Sequence, residues 1–153
     1  MAVVSKEIEA PRADVFAVLA DGWLYASWVV GAAHIRAVDK NWPDIGSRIH
    51  HNIAPWPLRL SDATVVRQID APRLLELDAW AWPFGAALVR LELEDLGPAR
   101  TRVTMTEHVS AGPAKIVPGV VQDLLLTPRN NEALDRLADL ATGRAAADVP
   151  GSR

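Results

Sequence analysis

The stretch AALVRLELEDLGPARTRVTMTEHVS, residues 86–110, alternates apolar and polar side chains twice, on either side of a turn at Gly97-Pro98. A period of two over this length marks strands with one covered face and one wet face. The apolar row holds Ala87, Val89, Leu91 and Leu93 against Val103, Met105, Glu107 and Val109. Arg90, Glu92, Glu94, Thr104, Thr106 and His108 make the wet row. Two long strands, Ala86 to Glu94 and Arg102 to Ser110, are therefore expected to form a hairpin.

Working outward, the same logic extends the strands upstream. Leu74 to Trp82 joins the hairpin through Pro83-Phe84-Gly85, and Arg59 to Ile69 precedes it across Asp70-Ala71-Pro72-Arg73. Ser47 to Ala54 and His34 to Asp39 come earlier, separated by a loop containing Pro43 and Gly46. Residues 2–9 supply a seventh strand. After it, Pro11 can open a helix carrying Val15, Phe16, Val18 and Leu19, stopped at Asp21-Gly22. A short helical piece, about Trp23 to Trp28, follows.

Downstream, Pro113 to Leu126 has Ile116, Val117, Val120, Val121, Leu124 and Leu125 at helical spacing. Thr127-Pro128 either begins a new helix or kinks a longer one. Ala133, Leu134, Leu137, Leu140 and Ala141 then form the stripe of a long amphipathic helix, with Gly143 as its stop. Residues 1–143 read as one domain, and 144–153 as a disordered tail.

Composition excludes several classes. The 153 residues carry 16 basic and 19 acidic side chains, a formal charge of −3, with no run of Lys and Arg. Nucleic acid is not an expected partner. Cysteine is absent, so disulfides, thiolate metal sites and cysteine nucleophiles are excluded. The opening MAVVSKEIEA has charges where a signal peptide needs an apolar run, and no window approaches the ~18 apolar residues of a membrane span. The chain is read as cytoplasmic, with no integral membrane association.

One strand, two short helices, six strands and a long C-terminal helix is a distinctive order. It resembles the START-like, or helix-grip, superfamily of polyketide cyclases/dehydratases, lipid carriers and birch-pollen-allergen relatives. Val3 to Pro11 followed by Asp14-Val15-Phe16 looks like that superfamily's opening. Trp42-Pro43-Asp44-Ile45-Gly46-Ser47 is similar to its loop before the third strand. Ala71-Pro72-Arg73-Leu74-Leu75 resembles its recurrent turn, and Thr101-Arg102-Val103-Thr104-Met105-Thr106 its penultimate strand. The resemblance spans residues 2–142 and implies an α+β fold: a curved seven-stranded antiparallel sheet gripping the C-terminal helix. It also implies a cavity between the two.

Glu107 is a carboxylate on an otherwise apolar face. Desolvation there would suit it to general acid or base work; a solvated or ion-paired residue at a strand end is the alternative. His50 and His51 are adjacent in a strand and point to opposite faces, so they cannot share a metal. His51 lies with Ile49 and Ile53 and is the candidate for the cavity, as a proton-transfer group or as a hydrogen-bonded structural histidine. No metal or cofactor is expected, and nucleophile elbows, Walker loops and H-E-x-x-H motifs are absent. Among the six tryptophans, Trp80 and Trp82 share a face opposite Leu75, Leu77, Ala79 and Ala81. Outward, they would form a patch for a homodimer; inward, they would be cavity walls.

The leading expectation is a container for a hydrophobic small molecule such as a lipid, polyketide or similar metabolite. Its walls are read as Trp28, Ile49, Ala63, Val65, Leu77, Ala79, Val89, Leu91, Met105, Val117, Val121 and Leu125, with His51 and Glu107 as polar anchors. The resemblance also implies two alternatives. One is a cyclase/dehydratase-like enzyme using Glu107 or His51 for proton transfer; the other is a chaperone-activator-like interaction module.

Overall fold

The computed structural model describes residues 1–32, 34–52, 61–81 and 83–147. Its elements are β1 (Ala2–Ile8), α1 (Arg12–Ala20), a 3-10 turn (Gly22–Leu24), α2 (Tyr25–Trp28), β2 (His34–Val38) and β3 (Arg48–Asn52). They continue as β4 (Ser61–Asp70), β5 (Leu74–Ala81), β6 (Gly85–Gly97), β7 (Arg100–Ala111), a second 3-10 turn (Pro113–Ile116) and α3 (Gly119–Ala147). The strands form one curved antiparallel sheet, as the alternation and the resemblance imply, and their order in it is β1-β7-β6-β5-β4-β3-β2. The first and last strands are therefore neighbours, and α1 and α3 lie together against the concave face with β1.

Cross-strand register sets the character of that face. One row runs Ile69, Leu75, Leu91, Met105 and Val4 across β4, β5, β6, β7 and β1. Its central members Leu75 and Leu91 are fully buried, in one core cluster with Leu134 and Leu137 of α3 and Val15, Val18 and Leu19 of α1. Each such side chain contributes about 1.5–3 kcal/mol by leaving water. The next row is Val66, Leu77, Val89, Glu107 and Ala2, and the one after it Thr64, Ala79, Ala87 and Val109. Along β5 and β6 the facing pairs shrink from Leu75–Leu91 through Leu77–Val89 to Ala79–Ala87. The core is dry and full at one end and runs out of side-chain volume at the other.

Strand β4 departs from the sequence reading. Thr64 and Val66 face the interior, and Ala63 and Val65 lie on the opposite face. The pairing of Thr64 with buried Ile49 fixes this parity. A register shift between Val66 and Gln68 then returns Ile69 to the core side. Because of that bulge, Ala63 and Val65 share sequence parity with Ile69 but not its face. Arg67 stays outside, 3.9 Å from Glu76.

Helix α3 is continuous, with Pro128 inside it. Pro128 is exposed, so water can take up the carbonyl that its ring frees one turn earlier. The helix also runs past Gly143 to Ala147, because one glycine costs only about 1 kcal/mol and Arg144, Ala145, Ala146 and Ala147 favour helix. Residues 148–153 of the expected tail, together with Ile53 and Trp82, lie outside the described residues.

Candidate functional site

Where the Leu75–Leu91 row gives way to smaller side chains, a cavity of about 360 Å³ opens between the sheet and α3. Leu77, Ala79, Ala87, Val89, Met105 and Val109 form its sheet wall, Tyr25 and Trp28 one side, and Leu126, Arg129, Asn130 and Ala133 its helix wall. Trp80, Phe84 and Gly85 line it as well; Trp80 and Phe84 are largely exposed, as rim residues would be.

The residues read as walls from sequence divide three ways. Trp28, Leu77, Ala79, Val89 and Met105 line the cavity together with His51 and Glu107. Ile49 and Leu91 are buried in the packed core and do not reach it, and Ala63 and Val65 lie on the other face of β4. Val117, Val121 and Leu125 are also outside the lining; Val121 is 42% and Leu125 65% exposed.

The phase of α3 explains the last group. Ala133, Leu134 and Leu137 set which side of the helix faces the sheet. Traced backward at steps of three and four, that side continues through Asn130, Arg129, Leu126 and Gln122. The more apolar Val120, Val121, Leu124 and Leu125 fall on another side and meet water. Arg129 and Asn130, missed in the sequence reading, were therefore accessible by extending the C-terminal stripe.

Glu107 is 3% exposed and paired across the cavity wall. Arg129 Nη2 donates to both of its carboxylate oxygens, at 2.6 and 2.5 Å, and to Asn130 Oδ1 at 3.3 Å. A buried carboxylate held in this way is compensated and fixed in orientation.

A second polar group lies on the side formed by α2, β3 and β4. The hydroxyls of Tyr25 and Thr64 are 2.9 Å apart, and His51 Nε2 is 3.0 Å from the same Thr64 Oγ1. The Tyr25 ring stacks on His51 and meets Trp28 edge-on. Burial pushes the Tyr25 phenol up to about 12, against the opposing effect of its Thr64 bond. Burial also lowers the His51 pKa, although the negative charge of Asp62 works in the other direction. At neutral pH the wall presents a neutral phenol and a neutral imidazole. His50, on the other face, lies 3.4 Å from Asp39. Among the described residues no cluster of His, Asp and Glu could hold a metal ion.

A seven-stranded sheet gripping a helix around an apolar cavity defines the START-like, helix-grip class. The chain belongs to the family described as polyketide cyclase / dehydrase and lipid transport, which it matches over residues 2–142. Among solved structures it is similar to the Zhui aromatase/cyclase from Streptomyces sp. R1128, at 16% identity and a TM-score of 0.70, covering 97% of this chain and 98% of that one. It is also similar to a START superfamily protein from Mycobacterium smegmatis, at 18% identity and a TM-score of 0.60, covering 97% and 100% of the two chains. A protein from Nitrosomonas europaea aligns at 15% identity and a TM-score of 0.70, over 94% and 95%. These likenesses carry the fold. Comparison with curated protein sequences finds no match. No helix among the described residues is long and apolar enough to cross a membrane.

Proposed function

We propose that this protein binds an apolar small molecule, a lipid, polyketide or related metabolite, in the cavity between its sheet and α3. The observation that carries the reading is the graded loss of side-chain volume from Leu75–Leu91 to Ala79–Ala87. Interiors are ordinarily packed to crystal-like density, so an apolar cavity of about 360 Å³ is an unspent opportunity for burial. A ligand filling it would gain about 25 cal/mol per Å² of apolar surface removed from water, before the costs of association.

Native mass spectrometry of the purified protein, followed by denaturing extraction, tests this. A retained apolar molecule, or uptake of one from an added panel, supports it. A protein that stays empty against a broad apolar panel sinks it.

A second reading is a cyclase/dehydratase-like enzyme, favoured by His51 and Glu107 lining the same cavity. Proton transfer would then fall to His51 rather than Glu107, because Arg129 engages both Glu107 oxygens. Turnover of a bound β-polyketone that is lost in His51→Phe while binding persists would establish it.

A further inference from the structure

The outer side of α3 changes character partway along. Its first half carries Val120, Leu124 and Pro128 in one row and Val121 and Leu125 in a second, each at steps of four. Val120 is 82% and Leu124 73% exposed, and Ile116, in the 3-10 turn just before the helix, is 87% exposed. Between residues 113 and 128 only Lys115 and Asp123 are charged. Asp123 turns toward β1, 2.8 Å from the Met1 nitrogen, which leaves Lys115 as the one charge bordering the apolar rows. Beyond Pro128 the same side continues as Asn131, Glu132, Asp135 and Asp139, all exposed.

The size of this face is that of an interface centre. Exposed Phe84 flanks it, since its carbonyl accepts from the Ala114 amide at the turn that carries Ile116. Together these aliphatic side chains and Phe84 present on the order of 400–500 Å² of apolar surface. A standard interface takes about 800 Å² from each partner, a little over half of it apolar. The face is separate from the Trp80 surface on β5.

Charge selects the occupant. A helix that lies on a bilayer flanks its apolar face with Lys and Arg. Here the flank is Glu132, Asp135 and Asp139, on a chain of formal charge −3, which anionic lipids repel. A second copy has the complementary pattern. Two such helices laid antiparallel about a two-fold axis near Leu124 bring the apolar rows together as ridges into grooves. The same operation sets Lys115 of each copy opposite Glu132 of the other. Laid parallel, the helices would instead oppose Glu132, Asp135 and Asp139 to themselves.

We infer that the outer face of α3 over residues 119–128 docks on the same face of a second copy of this chain, antiparallel about a two-fold axis, with Lys115 of each protomer beside Glu132 of its partner. Leu126, Asn130 and Ala133, which line the cavity, lie on the other side of the helix. The dimer therefore does not depend on what the cavity binds.

Sedimentation velocity of the intact protein at rising concentration tests this, together with disulfide trapping in a chain that has no cysteine of its own. The wild type is expected to reach twice the chain mass. Leu124→Asp should weaken the dimer about 100-fold or more while melting like the wild type, because Leu124 is already exposed within one chain. Val120→Asp gives a second, independent reading at the same face. Under mild oxidation Leu124→Cys should cross-link to a dimer. Asp139→Cys should not, because it lies about 22 Å further along the helix and the two copies diverge from the axis. A wild type that stays monomeric overturns the inference, and one that is monomeric but sediments with phosphatidylglycerol vesicles reassigns the face to a bilayer. A dimer indifferent to both Asp variants uses another surface, and equal cross-linking at positions 124 and 139 overturns the antiparallel arrangement.

Discussion

Arg129 holds Glu107 through a single nitrogen, Nη2, which lies within 2.6 Å of both carboxylate oxygens and joins α3 to β7 across the cavity wall. The two ends of this pair differ in environment. The Glu107 side chain is 4% exposed, whereas that of Arg129 is 39% exposed. The carboxylate is thus the partner whose desolvation must be compensated.

This asymmetry predicts the mutational behaviour of the pair. Arg129→Met leaves a buried carboxylate unpaired and is expected to lower unfolding stability by about 2–3 kcal/mol. That is below the roughly 3–5 kcal/mol of breaking a fully buried pair, because Arg129 is partly solvated. The double variant Glu107→Leu with Arg129→Met removes both charges and should recover most of the loss. Denaturant unfolding of the wild type, both single variants and the double variant checks it. A double variant less stable than Arg129→Met would refute the assignment.

The lowered pKa of His51 makes a pH prediction. In the folded protein the imidazole resists protonation, while in the unfolded chain it titrates near its ordinary 6.5. Above that pH both states are neutral and the contribution to stability is complete. As pH falls below it, the unfolded state takes up the proton first, so stability drops at up to about 1.4 kcal/mol per pH unit until the folded pKa is passed. Denaturation midpoints measured from pH 7 downward should fall, and His51→Phe, which keeps the ring beside Tyr25, should flatten the slope. An unchanged slope in that variant would exclude His51 as its source.

Tyr25 is the single tyrosine of the chain, which makes its titration directly readable. With burial holding the phenol up to about 12, phenolate absorbance should stay silent through the alkaline range where exposed tyrosines ionise. A transition near 10 in the folded protein would contradict the buried Tyr25–Thr64–His51 arrangement. Tyr25→Phe should cost about 1 kcal/mol, the worth of one hydrogen bond.

The hairpin of β6 and β7 shows what sequence can and cannot yield here. Its alternation is unbroken from Ala87 to Leu93 and from Val103 to Val109, so the inward position of Glu107 was legible from parity alone. Strand β4 was not, because a bulge after Val66 breaks parity and no local residue pattern announces it. In α3 the hydrophobic signal misled. Val120, Val121, Leu124 and Leu125 are four of the five large apolar residues of its first half, yet they meet water while the phase inherited from Leu134 and Leu137 turns Arg129 and Asn130 inward beside Leu126. Packing of the C-terminal half overrode local amphipathicity, and the partner of Glu107 was hidden by the same effect.

At the cavity mouth the β5–β6 turn crosses the end of β7 with no room for side chains. Gly85 has φ +124 and Gly112 φ +86. A Cβ on Gly85 would sit 1.9 Å from the Ala111 carbonyl oxygen, and one on Gly112 would sit 2.4 Å from the Gly85 Cα. Both obstacles are backbone and cannot rotate away. Gly85→Ala and Gly112→Ala are each expected to destabilise by more than the ~1 kcal/mol of the backbone conformation alone. Gly143→Ala, in open space within α3, should instead be neutral or stabilising. Thermal melts of the three variants give the comparison, and equal effects at all three sites would disprove the close crossing.

The gradient from Leu75–Leu91 to Ala79–Ala87 can be reversed by design. Ala87→Leu would place three more carbons in the cavity beside Ala79 and Val89. In a packed core such an insertion causes strain of about 1–3 kcal/mol. In open apolar space it should stabilise, by about 1–2 kcal/mol, through added burial. The variant is therefore expected to melt higher than the wild type and to bind apolar ligands at least 10-fold more weakly, since it occupies their volume. Stability and affinity moving in opposite directions is the signature of a cavity kept open for a ligand. If Ala87→Leu melts lower and binds normally, the space beside Ala79 and Ala87 is not where the ligand lies.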